Sequence, residues 1–402
     1  MGCSDLIQAL GLLISLVAIV ILVIKRVNYG LALLVGVFIL GVFSQLTFQQ
    51  FVEVFTSTVT DWETFDLVLI ISLIPVLAFC MKETDMVNAL IISVRKVLSG
   101  RTVLVMLPAL MGALPMPGGA LLSAPLIDEE AERLKLSSEE RTFINVWFRH
   151  WNFFIYPLSS PLILAASLAG VNLYQLILIQ APSLILYLIL GYFVSVRRIK
   201  DDDRGDQQRD LETLLSIPLN MAPIFLAVAL NILGMHMVAT IAVGIASVLI
   251  FKKVNPQRAS YLLRKGFDWK LPFAIIGVMS LRRMFEYSNA VSAILPYMKA
   301  AGLPTVVFLI IISWVVGLAT AMPTAGIAVI FPIALAMMEE LTPVVVSILY
   351  LTMVFSYLIS PMHLCLVLTV EYYKSRLQKV YRTLMPASVA TYLIILTAAM
   401  LI

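Results

Sequence analysis

The chain of 402 residues is 61% hydrophobic and only 13% charged, with a formal net charge of +4. A soluble domain of this length needs far more charged surface, so that class is excluded. The basic residues are scattered between apolar runs, which excludes a nucleic-acid face, and Cys3, Cys80 and Cys365 form neither a disulfide framework nor a CxxC metal pattern.

Taken in chain order, the first apolar run is 6–24, followed at once by Lys25 and Arg26. It is too long, and lacks the basic leader, for a cleavable signal peptide. Runs 29–47 and 66–81 follow as membrane crossings, then a short amphipathic stretch at 85–100. The run 102–134 is interrupted by Leu114-Pro115-Met116-Pro117-Gly118-Gly119. Crossings at 146–171 and 174–196 lead to a polar linker rich in Asp and Arg. The second half repeats the order: crossings at 217–233, 237–251 and 270–285, an amphipathic stretch at 289–302, an interrupted run 303–338, then crossings at 343–373 and 384–402. The second interruption is Ala321-Met322-Pro323-Thr324-Ala325-Gly326. Proline removes a helix hydrogen bond and glycine weakens the helix, so each interrupted run is either one kinked span or two half-helices meeting at a tip.

Charge separates these options. Positive residues concentrate in cytoplasmic loops. If both interrupted runs are re-entrant hairpins and the N-terminus is outside, every Lys and Arg except Arg282, Arg283 and Lys299 lies inside. If both runs crossed fully, the basic linker would fall outside. The sequence therefore predicts an all-α polytopic membrane protein of about ten transmembrane helices plus two re-entrant hairpins, with both termini outside a prokaryotic inner membrane.

The halves align. Met116-Pro117 matches Met322-Pro323, and Tyr156-Pro-Leu-Ser-Ser-Pro161 matches Tyr357-Leu-Ile-Ser-Pro361. Five crossings per half is an odd number, so the halves must be inverted. The division is residues 1–200 as the first repeat, with a cytoplasmic-side hairpin at 102–134; 201–215 as a cytoplasmic linker; and 216–402 as the second repeat, with an external-side hairpin at 303–338.

Unwound backbone inside a membrane is tolerated only where protein or a watery cavity satisfies it. The two tips and the two Ser-Pro breaks are thus the expected solute site: Met116, Pro117, Gly118 and Gly119; Ser159, Ser160 and Pro161; Met322, Pro323, Thr324, Ala325 and Gly326; Ser360, Pro361 and His363. Half-helix N-termini favour an anion, and the opposite carbonyl ends favour Na⁺ or a proton-bearing group. The tips carry no carboxylate, which argues against a cationic solute. Arg149, His150 and Asn152, in Trp147-Phe-Arg-His-Trp-Asn152, are expected either to attract the anion and gate its path or, for Arg149, to snorkel to lipid headgroups. His363 either relays a proton or bonds a carbonyl.

Met116-Pro-Gly-Gly-Ala-Leu-Leu-Ser-Ala-Pro125, Trp147-Phe-Arg-His150 and Ser360-Pro-Met-His-Leu-Cys-Leu-Val-Leu-Thr369 resemble an uncharacterised prokaryotic membrane family, domain of unknown function 401. That family is similar to members of the ion transporter superfamily, such as gluconate permeases, citrate transporters and divalent-anion sodium symporters. The resemblance implies a homodimer, an elevator-like transport domain carrying the hairpins, and carboxylate-type solutes. The tips here depart from the Ser-Asn-Thr motif of the sodium-dicarboxylate members.

The reading is a secondary transporter of a small organic anion coupled to Na⁺ or H⁺, with the lipid bilayer and the solute as partners and no resident cofactor or metal beyond Na⁺ at the tips. The alternative is a channel or a membrane subunit of a larger permease complex. An enzyme is not expected: the chain has no GxxxxGK[ST], no HExxH and only three scattered histidines.

Overall fold

The computed structural model describes residues 3–114, 119–200, 211–288, 290, 302–338 and 340–400. Among them the only regular structure is helical. The first half runs α1 (Cys3–Ile24), α2 (Tyr29–Phe43), α3 (Phe48–Thr60), α4 (Trp62–Glu83), α5 (Met86–Val97), α6 (Gly100–Ala113), α7 (Gly119–Arg133), α8 (Ser138–Arg149), α9 (Asn152–Ile155), α10 (Ser160–Ala169) and α11 (Leu173–Gly191). A π-helical turn, Tyr192–Val196, extends α11. The second half runs α12 (Leu211–Ile232), α13 (Met237–Phe251), α14 (Pro256–Gly266), α15 (Lys270–Ser288), α16 (Thr305–Thr320), α17 (Pro323–Met337), α18 (Pro343–Ile359), α19 (Leu364–Tyr373) and α20 (Leu377–Met400).

Seven segments are long and apolar enough to cross a bilayer: 7–24, 62–83, 138–169, 173–196, 211–232, 343–373 and 377–400. This is a helical membrane protein. The expected crossings at 29–47 and 237–251 are helices of 15 residues each, and 270–285 is a 19-residue helix carrying Arg282 and Arg283. The arms of the interrupted runs, α6, α7, α16 and α17, are 14 to 16 residues long. At 1.5 Å per residue none reaches the roughly 30 Å of a hydrocarbon core. Each pair packs arm against arm.

The crossings expected at 146–171 and 343–373 are not continuous helices. The first breaks between Arg149 and Ser160, the second between Ile359 and Leu364. Both are central: 83% of the hydrophobic window in 343–373 and 56% of that in 138–169 is buried, against 28% for 7–24. Proline acts here as a helix starter. Pro161 and Pro323 sit in the first turns of α10 and α17, where an amide N–H has no intrahelical partner to lose.

Two helices were missed by the sequence reading. The loop after 29–47 contains α3, opened by a Thr47–Gln50 capping box, with Phe48 exposed at its start. The basic loop after α13 contains α14, capped by Asn255. Both are short amphipathic helices whose polar faces hide the apolar periodicity.

Polar contacts join the loops in two groups. In one, Arg258 donates to the Glu83 carbonyl, Arg95 to the Leu126 carbonyl, Tyr372 to Asp128, and Thr142 pairs with Ser375. In the other, Arg282 pairs with Glu63 at 3.3 Å, Arg283 with Asp61 at 3.3 Å, and His236 with Asp66 at 3.4 Å. Two of the three basic exceptions to the charge rule are thus neutralised by the acidic corner between α3 and α4. Burial pushes the Asp61 carboxyl up, but the Thr64 hydroxyl and amide and the Arg283 guanidinium outweigh it and hold it below the usual range.

Candidate functional site

The breaks gather around a cavity of about 870 Å³. Its walls come from five places: Gly112 and Leu114 at the end of α6; Arg149 through Pro161 at the first break; Met322 and Thr324 at the start of α17; Tyr357 and Cys365 flanking the second break; and Pro75, Phe79 and the 265–271 stretch opposite. Lys265 and Asp268 are exposed at its mouth, on the face that carries Glu83 and Arg258.

Local geometry explains how the chain reaches this arrangement. The break after Arg149 lies directly against α6: a Cβ on Gly112 would collide with the Arg149 carbonyl, so only glycine lets the two backbones touch. Trp151 secures the same contact by donating from Nε1 to the Ala109 carbonyl at 2.8 Å. At the second hairpin, α16 ends on Ala321 in the left-handed region, φ +47, and the chain reverses into α17 two residues later.

The helix N-termini are of two kinds. Asn28, Thr47, Asp61, Ser137, Asn172, Asn255 and Thr342 cap their helices through a side-chain oxygen. α10, α17 and α19, like α5, α6, α9, α13 and α16, begin without a side-chain cap. Their first-turn amides therefore keep hydrogen-bonding capacity and partial positive charge. α10 and α17 open onto the cavity through Ser160 and Thr324.

The charge of the site is Arg149. Its side chain ends α8 and is buried, with the residue 7% exposed. The guanidinium faces Cys365 and Tyr357, and among the described residues Nη1 has no hydrogen-bond partner and no carboxylate forms an ion pair with it. It does not snorkel to a headgroup layer. Beside it, Asn152 Oδ1 is also buried without a partner among the described residues, and Ser159 Oγ has only the Tyr350 hydroxyl near it, which donates to the Phe153 carbonyl. Buried polar groups are satisfied in more than nine of ten cases, so a cluster of unsatisfied ones in a cavity marks a place for a ligand.

His150 and His363 fill the gap between the breaks, with ring centroids 4.8 Å apart. Tyr357 packs on His363 at 4.0 Å and bonds His150 Nε2 at 3.2 Å. His363 Nδ1 lies 3.3 Å from the Leu358 carbonyl, so the carbonyl bond expected as one of its two roles is present.

Of the sequence-predicted residues, Ser159, Ser160, Pro161, Met322, Thr324, Arg149, His150 and Asn152 line the cavity. Pro323, Ala325 and Gly326 are buried in the start of α17, with Gly326 against Met353. Ser360 is turned away: its hydroxyl donates to the Leu318 carbonyl at 2.6 Å, tying the second break to α16. Pro361 is exposed and does not line the cavity, and His363 lies fully buried behind it. Gly119 starts α7, while Met116, Pro117 and Gly118 lie outside the described residues.

Sequence reasoning missed Tyr357, Cys365, Gly112 and the 265–271 wall. Tyr357 and Cys365 carried a signal: both lie within a few residues of the second break and of His363. Nothing local marks 265–271, which reaches the cavity only through tertiary packing.

No curated protein matches the chain. Residues 7–402 match the model of the family described as Protein of unknown function (DUF401), and the chain belongs to that family.

Proposed function

We propose that this protein is a secondary active transporter of a small organic anion, working by elevator-type alternating access in a prokaryotic inner membrane and coupled to Na⁺ or H⁺. The observation that carries the reading is the buried, unpaired Arg149 guanidinium in a cavity bounded by a hairpin start and a broken helix. Burying an unpaired charge costs several kcal/mol. Charged groups inside a membrane that persist without a protein partner belong to solute or ion paths. An anionic solute supplies the missing counter-charge, and the uncapped starts of α10 and α17 supply amide donors to it.

The packing pattern supports two inverted repeats. α2 packs on α15 and its counterpart α13 on α4; α3 packs on α15 and its counterpart α14 on α4. The half-helix α10 packs on hairpin arm α17, and α19 on hairpin arm α7. Each half thus completes the other by the same exchange, as an in-plane pseudo-two-fold axis requires. On this reading there are ten crossings and two hairpins entering from opposite sides. The cavity mouth at Lys265 and Asp268 faces the cytoplasm, since that face carries most of the Lys and Arg. The assembly is a homodimer, the state the superfamily resemblance implies.

The test is uptake of a panel of organic acids into proteoliposomes under an imposed Na⁺ or pH gradient. Gradient-dependent accumulation is expected. Uptake that ignores every gradient removes coupling, and unitary currents in planar bilayers favour the channel alternative.

A further inference from the structure

Behind the cavity three donor atoms converge. His150 Nδ1 lies 2.5 Å from the Val146 carbonyl and His363 Nδ1 3.3 Å from the Leu358 carbonyl. A carbonyl only accepts, so each Nδ1 donates its proton and each Nε2 presents a lone pair. One backbone acceptor per imidazole, on the nitrogen away from the cluster, is the outer-shell arrangement that orients metal-ligating histidines. His150 Nε2 meets only the Tyr357 hydroxyl, and His363 Nε2, fully buried, has no partner among the described residues. Cys365 Sγ completes the set: one ring nitrogen of each histidine and this sulfur lie within 4.8 Å of one another.

We propose that His150 Nε2, His363 Nε2 and Cys365 Sγ hold a thiophilic transition-metal ion between the two broken helices. Bonds of about 2.0 Å to nitrogen and 2.3 Å to sulfur place tetrahedral donors roughly 3.5 Å apart. The donors therefore close in by about an ångström, within reach of the χ rotations of three side chains. Two imidazoles and a thiolate suit Zn²⁺ or Cu⁺ and disfavour Mg²⁺ or Ca²⁺. Binding deprotonates Cys365, and the thiol proton leaves through the cavity that Cys365 lines. The Arg149 guanidinium beside Cys365 repels the incoming cation. The remaining positive charge selects Cu⁺, or Zn²⁺ with an anion in the fourth position. That position opens on the cavity, where the ion and the solute of the preceding section meet. The three-donor site itself does not rest on transport.

The experiment uses the full-length protein in detergent, stripped with a chelator, then titrated with Co²⁺ and separately equilibrated with Zn²⁺ and with Cu⁺ before desalting. The expected result is one ion per chain, with a thiolate-to-cobalt charge-transfer band and the visible bands of a four-coordinate site. C365S removes the band, and C365S and H363A each weaken binding by more than about a hundredfold, the cost that even outer-shell partners of a metal reach. H236A, on the outer face, leaves binding intact. Melting curves of the metal-free variants check folding. If the wild-type chain retains none of the three ions, or if occupancy persists unchanged in both variants, the site is overturned. A chain that binds cobalt but accumulates no anion keeps this proposal and loses the transport one; the reverse outcome separates them the other way.

Discussion

A single buried arginine sets the chemistry of the site, and its stability and its function should respond in opposite directions. Replacing Arg149 with Gln removes a desolvated charge that no carboxylate among the described residues compensates. The solute-free R149Q protein is therefore expected to be more stable than wild type by about 1 kcal/mol or more, read as a higher melting temperature. The same change removes a charge-assisted bond to the solute and weakens anion binding by about 2 kcal/mol, roughly thirtyfold. Loss of both stability and binding would instead mean that Arg149 holds the fold. The serines divide in a similar way. Ser159→Ala and Ser160→Ala are expected to lower anion affinity by about 1 kcal/mol each with little effect on melting. Ser360→Ala leaves the Leu318 carbonyl unpaired and should lower stability by about 1 kcal/mol without changing affinity, measured by thermal melting and by equilibrium binding. At this scale the sequence exposed the residue types but not their directions. Ser160 and Ser360 occupy matched Ser-Pro positions, yet one faces the cavity and the other a carbonyl, because their orientation depends on which hairpin lies across from each.

At the scale of elements, the breaks were legible because proline and glycine interrupt long apolar runs twice at matched places. What they produce was less legible. Pro161 and Pro323 start half-helices instead of bending whole ones, and that distinction rests on whether the first-turn amides find other partners. The amphipathic helices α3 and α14 escaped notice because charge masks their short apolar faces. Two element-level predictions follow from backbone geometry. Ala321 holds a left-handed conformation at the end of α16, which costs a residue with a Cβ about 1 kcal/mol. Ala321→Gly is expected to relieve part of that strain and raise the melting temperature. Gly112→Ala drives a methyl into the Arg149 carbonyl and should destabilise by about 1–3 kcal/mol while displacing Arg149 from the cavity wall. Reduced anion affinity in that variant, measured on the fraction that remains folded, would show that the α6 contact positions the guanidinium.

For the whole molecule, composition and charge asymmetry were enough to predict a helical membrane protein with loops sorted to two faces, and the polar contacts join loops in those same two groups. The cavity itself was not legible, because one side of its wall comes from α4 and the 265–271 stretch, which no local motif connects to the breaks. The proposed inverted arrangement makes a topological prediction. In a cysteine-free background, K96C and K135C should react with a membrane-impermeant maleimide from one side, and E53C and E340C from the other. Labelling of Lys135 and Lys96 positions from opposite sides would remove the first hairpin. The most direct test of the whole account is equilibrium binding of a panel of small organic anions and cations to purified wild-type and R149Q protein. The account predicts saturable binding of at least one anion at one site per chain, weakened roughly thirtyfold in R149Q, and no binding of cations matched in size. Binding of a cation, or an anion affinity indifferent to Arg149, would contradict it.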